Sequence, residues 1–186
     1  MKTVFLMIAR ILYDKGYQEY VEATRIIRKE HPGAEFRLLG RIDEEYPNHV
    51  PAEVVQRDHV EGTIYYLGFQ SNVRQYIREA DCIVHPTFYN EGMSRVLMEA
   101  MALRKPIITT SIPGCRETVE AGKNGFLIPP KDTAALVYAI RRFLSLTPEE
   151  RQRMGGYGRA KAEREFDVRQ VIEVYKRITR GKNLFS

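Results

Sequence analysis

Short apolar runs of strand length alternate along this chain with stretches of helical periodicity. Residues 4–9, 36–39, 64–67, 82–85, 107–110 and 126–128 read as strands, and 17–29, 52–61, 73–79, 94–103 and 116–121 as helices between them. The strand runs are largely apolar and lack a regular alternation with polar residues, which means burial on both faces and therefore a parallel sheet covered by helices on each side. The pattern predicts an α/β fold, a Rossmann-like three-layer domain with about six parallel strands. Beyond Pro130 the strand signal stops and helices are expected over 133–144, 148–165 and 168–180. Thr147-Pro148-Glu149-Glu150 supplies a cap, a first-turn proline and first-turn acids in the order that starts a helix.

With 186 residues, 44% hydrophobic and 28% charged, the chain is expected to form one soluble domain over 1–186. The net charge of +5 suits a ligand rich in phosphate, and no nucleic acid is expected as a partner. Cys82 and Cys115 have neither metal-ligand spacing nor the density of a disulfide framework, which fits a reducing, cytoplasmic setting. The opening apolar run leads directly into Arg10 and reads as a first strand, not a signal peptide. No stretch nears the ~20 apolar residues of a membrane span. The four histidines share no helix face with acidic or cysteine partners, so no metal site is expected.

Candidate chemistry gathers where strands end. Pro86, Asn90 and Gly92 break the chain after the strand 82–85, which places Glu91 at that strand's carboxyl end, facing a helix that opens at Ser94. Ligands of open α/β sheets bind in this crevice, and a helix amino terminus attracts anions. Glu99 lies inside the helix and reaches the crevice only if its face turns that way; the alternative is an exposed pair with Arg95 worth roughly 0.2–0.5 kcal/mol. Arg10 and Lys15 place two cations on the first strand–helix turn. They are either diphosphate ligands or solvated surface charge. Tyr65, Tyr66, Phe88 and Tyr89 could stack on a base or sugar, or simply pack within the fold.

A dense set of residues resembles a known family. Arg10…Lys15-Gly16, Gly40, Leu67-Gly68, Ala80-Asp81, Glu91-Gly92…Glu99-Ala100-Met101-Ala102, Lys105-Pro106, Gly114…Glu117-Thr118-Val119 and Gly122…Gly125-Phe126 look like the carboxyl-terminal domain of family 4 glycosyltransferases. The resemblance runs from the first strand to about Leu144 and implies one half of a GT-B fold that binds a nucleotide sugar, UDP-linked in most relatives. It implies that Arg10 and Lys15 hold the donor diphosphate and act catalytically with Glu91, which contacts hydroxyls of the transferred sugar. The backbone N–H groups of Gly92, Met93 and Ser94 would bind sugar or phosphate oxygens, Glu99 the ribose, and the Gly68-Phe69 turn the base.

The family retains anomeric configuration and here needs no metal and no other cofactor, since no Asp-x-Asp occurs. Glu91-Gly92-Met93-Ser94 departs from the commoner Glu-Gly-Phe-Gly. The variant resembles bacterial members that build capsule, O-antigen or other lipid-linked surface glycans. Complete members are about twice as long, so the implied missing partner is an amino-terminal acceptor domain. The full-length protein would work in the cytoplasm, peripheral at the inner face of the membrane beside a lipid-linked acceptor, and this fragment alone would be inactive or nearly so. The alternative is a non-catalytic regulatory module that binds a nucleotide sugar through the same pocket.

Overall fold

The computed structural model describes residues 2–90 and 92–167. Glu91 and the helix expected over 168–180 lie outside the described residues. The elements follow in order: β1 (Thr3–Ile8), α1 (Tyr17–Glu30), β2 (Ala34–Leu39), α2 (Ala52–Val60), β3 (Tyr65–Tyr66), α3 (Val73–Glu79), β4 (Cys82–His85), α4 (Arg95–Ala102), β5 (Ile107–Thr110), β6 (Gly125–Ile128), α5 (Thr133–Leu144) and α6 (Pro148–Glu165). All pairings are parallel, and the sheet order is β3-β2-β1-β4-β5-β6. The chain moves outward from β1 in one direction, then jumps back to β4 and moves outward in the other, which is the Rossmann arrangement.

Alternate residues of each central strand feed two separate cores. From β1, Phe5 and Met7 pack with Tyr20, Ile27, Leu136 and Phe143 of α1 and α5. Val4, Leu6 and Ile8 pack with Ile77, Leu97 and Met101 of α3 and α4 on the other face. Both faces of β1 are therefore dry, the reason its run carries no polar alternation, whereas β2 alternates, with Glu35 and Arg37 partly exposed between buried Phe36 and Leu38. Phe5 stacks on Phe36 with ring centroids 4.9 Å apart and meets the edge of Phe143 at 5.6 Å. Such aromatic contacts add about 0.5–1.5 kcal/mol each beyond the area they bury.

One expected element is corrected. Residues 116–121 form only a single 3₁₀ turn, Arg116–Thr118, after which Val119 is extended and buried. Local side chains outcompete the helix: Thr118 Oγ1 donates to Cys115 O, while Asn124 donates to Thr118 O and accepts from Glu120 N. The third strand is also shorter than the apolar run 64–67 suggested, Tyr65–Tyr66 at the edge of the sheet.

Helices α5 and α6 behave as their caps predict. Asp132 caps α5 through Ala135 N at 2.8 Å, and Thr147 with Glu150 forms a reciprocal capping box at α6. Helix α6 lies on α4 through small residues: Gly155 approaches the Arg104 carbonyl so closely that an added Cβ would sit 2.0 Å from its oxygen. Its neighbour Gly156 faces open space. The two glycines should therefore respond oppositely to the same change. Gly155→Ala is expected to lose about 1–3 kcal/mol through overpacking, whereas Gly156→Ala should gain about 0.5–1 kcal/mol of helix propensity, both measured by urea unfolding.

Candidate functional site

The β1–α1 turn is clamped from both sides. Toward β2, Ile11 N donates to Arg41 O at 2.9 Å, Val50 N to Ile11 O at 3.0 Å and Tyr13 N to Asn48 O at 2.9 Å. Toward β4, Phe88 N donates to Asp14 O at 2.9 Å, and the Thr87 hydroxyl shares the same acceptor. Gly16, with φ of 85°, closes the turn against Pro86, whose carbonyl oxygen would lie 2.3 Å from any added Cβ. Only glycine satisfies both the left-handed backbone and that approach.

This clamp sets the positions of both cations. Ile8, Ala9, Arg10, Lys15, His85, Met93, Ser94, Arg95 and Val96 line one cleft of about 240 Å³ at the carboxyl ends of β1 and β4. Lys15 is nearly buried, 5% exposed, with its Nζ 4.3 Å from the centre of the Tyr89 ring. The Arg10 side chain is 44% exposed and pairs with Asp43 at 3.7 Å, while its guanidinium lies 4.6 Å from the centre of the Tyr46 ring. An exposed ion pair of that length is worth at most about 1 kcal/mol, so a ligand can take Arg10 over cheaply.

Helix α4 enters the cleft amino terminus first, one residue later than its periodicity suggested. Ser94 is the N-cap residue, and its hydroxyl makes no cap hydrogen bond. Its backbone N–H, expected to serve a ligand, donates to Gly114 O at 3.1 Å. The first-turn amides beside the cleft are instead those of Arg95 and Val96, positions at which a helix supplies no internal acceptor. A serine N-cap before Arg95 was the sequence signal for this shift. Two cations, a hydroxyl and a positive helix end together suit a phosphate-bearing anion.

Other expected residues lie outside the cleft wall. Glu99 is exposed one turn further along α4, on the same face as Arg95, and no ion pair joins it to Arg95 among the described residues. Gly68, with φ of 67°, and exposed Phe69 follow β3, two strands from β1 at the same sheet edge. The Gly68 carbonyl accepts from Gly40 N at 3.0 Å, and Gly40 packs against Ala9, which links that turn to the Arg10 loop. Gly92 is exposed beside the cleft residue Met93. His85, which ends β4 just before the Glu91 loop, also lines the cleft, whereas Tyr46 beside Arg10 was not anticipated because no local pattern announces a loop tyrosine. A larger hollow of about 460 Å³ lies at the opposite sheet edge, but the Arg151 guanidinium there is engaged by Thr3 and Leu144 O, and the α6 start is closed by its capping box.

The Ser94–Gly114 bond has its own support. Glu117 Oε2 accepts from Gly114 N at 2.8 Å, holding the turn that carries the Gly114 carbonyl. Partial burial alone would raise the Glu117 carboxyl, but the N–H groups of Glu117 and Gly114, with Arg116, outweigh it and hold the group below its ordinary value. A depressed carboxylate contributes stability above its unfolded value of 4.5, lost as pH falls through the folded value. Glu117→Ala should therefore lower the melting temperature at pH 7, with the gap to wild type closing as the pH is taken below about 4.

Residues 1–161 match the family described as Glycosyl transferases group 1. Spore coat protein SA of Bacillus subtilis (strain 168) is 32% identical over 183 residues, covering 92% of this chain and 47% of that protein. The putative colanic acid biosynthesis glycosyltransferase WcaL of Escherichia coli (strain K12) is 29% identical over 174 residues, covering 90% of this chain and 42% of its own length. Among solved structures, Anabaena Alr3699/HepE in complex with UDP has the same fold, with a TM-score of 0.80 at 23% identity over 94% of this chain and 49% of that one. The chain spans about half the length of the curated relatives it matches.

Proposed function

This chain belongs to the group 1 glycosyl transferases, and we propose that within that family it is the donor-binding half of a retaining GT-B enzyme that moves a sugar from a nucleoside diphosphate sugar to a glycan or lipid-linked acceptor. The observation that carries this reading is the convergence of Arg10, Lys15 and the amino terminus of α4 on one cleft at the point where the strand order reverses. In this reading Arg10 and Lys15 hold the diphosphate and stabilise the charge that grows on it as the glycosidic bond breaks. The Ser94 hydroxyl, the amides of Arg95 and Val96, and the Gly92-Met93 backbone bind phosphate or sugar oxygens. Glu91 receives hydroxyls of the transferred sugar, Glu99 those of the ribose, and the Gly68-Phe69 turn the base.

UDP is the proposed nucleotide, supported by the UDP complex of the structurally similar Anabaena protein. The proposed product class, bacterial surface glycan, is supported by the colanic acid relative. Positive charge from the protein would meet the departing diphosphate without a metal, and the attacking hydroxyl would arrive on the face that the phosphate leaves. An acceptor-binding domain, needed for transfer, would complete the enzyme, working in the cytoplasm against the inner face of the membrane. No helix among the described residues is long and apolar enough to cross that membrane.

Calorimetric titration with UDP, GDP, ADP and inorganic phosphate tests the donor reading. UDP should bind well above phosphate, and Arg10→Ala should weaken it about ten- to a hundredfold, the range for losing a charge-assisted contact of roughly 1.5–3 kcal/mol. Glu99→Ala should weaken UDP without changing the affinity for phosphate. No preference for any nucleoside diphosphate over phosphate rules the reading out; unchanged binding in both variants rules out the residue roles.

A further inference from the structure

We propose that Tyr46 and Tyr89 are positioning residues of this cleft, holding the Arg10 guanidinium and the Lys15 ammonium against their ring faces so that both cations meet a diphosphate already in place. The inference rests on the donor reading above and adds to it two residues from two different loops. Tyr46 belongs to the β2–α2 connection and Tyr89 to the β4–α4 connection, so the two rings approach the β1–α1 turn from opposite sides. Arg10 lies 4.6 Å from the centre of the first ring and Lys15 4.3 Å from the centre of the second, both within the range of a cation–π contact. Both loops are anchored to that turn by backbone hydrogen bonds, through Asn48 and Val50 on one side and Phe88 on the other. The rings are thus fixed relative to the cations they face.

The chemistry of the contact matters. A ring face attracts the cation through its quadrupole while leaving the net charge intact, and a guanidinium lying over a ring keeps its edge N–H groups open for the fork that phosphate accepts. Arginine and lysine have much rotamer entropy to lose on binding, so cations held in place beforehand bind an anion more tightly. The neighbouring Tyr89 hydroxyl raises the Tyr46 phenol above its ordinary value.

Leucine variants remove the ring quadrupole while keeping apolar bulk, and phenylalanine variants keep the ring. UDP and uridine titrations of the 186-residue chain should show Tyr46→Leu and Tyr89→Leu binding UDP about three- to tenfold more weakly, with uridine unchanged and the Phe variants within about twofold of wild type. In the Arg10→Ala background, Tyr46→Leu should cost nothing further, because its effect acts through Arg10. Unchanged UDP affinity in both Leu variants overturns the inference. Equal losses for uridine and UDP, or the same Tyr46→Leu loss with and without Arg10, overturn it as well. Should either Leu variant unfold, as judged by its melting curve, the Phe variant with an intact ring must retain UDP affinity, and a loss above tenfold there also overturns it. A wild-type chain that binds no UDP overturns the donor reading and this inference together. UDP binding weakened by Arg10→Ala but indifferent to both Leu variants overturns only this one.

Discussion

The contact on which the site depends is the closure of the β1–α1 turn against the loop after β4, where Gly16 meets the Pro86 carbonyl with no room for a side chain. β1 lies between β2 and β4, and the loops that follow those two strands grip its turn from both sides. That grip brings Arg10 and Lys15, five residues apart in sequence, to the walls of one cleft, and it buries Lys15 while leaving Arg10 partly in solvent. Because the order of strands reverses here, the helices after β1 and β4 leave toward opposite faces and open the crevice between them.

Arg10 differs in its surroundings from several other arginines of the fold. Arg37 lies between Glu35 and Glu79, Arg141 forks onto Glu30, and Arg151 is tied to Thr3 and to the Leu144 carbonyl. Arg10 has one long exposed pair and a ring face. Positive charge held this way in a concave site, beside a helix amino terminus, favours an anion over any neutral ligand. The proposed ligand, a sugar activated by a nucleoside diphosphate, is an anion of this kind.

Legibility from sequence followed the range of the interactions involved. The bounds of α3, β4, β5, α5 and α6 agree with the patterns expected for them, because each is set by its own apolar period and local caps. The stretch 116–121 misled, since the side chains of Thr118 and Asn124 compete for the same backbone groups a helix would use. At Ser94 the sequence could not show that the backbone N–H donates to Gly114, a residue twenty positions away.

Sequence alone determined the layered sheet, the two faces of each central strand and the cations on the first turn, because these follow from hydrophobic period, chain punctuation and residue type over short spans. Its motifs also led to the family. Tertiary structure decided which of those groups share a cleft: it placed Arg95, Val96 and His85 in the wall, set Glu99 and the Gly68-Phe69 turn outside it, and brought Tyr46 and Tyr89 over the two cations. Distances between loops that follow different strands depend on sheet order and on backbone contacts between residues far apart in the chain, and no local pattern encodes them.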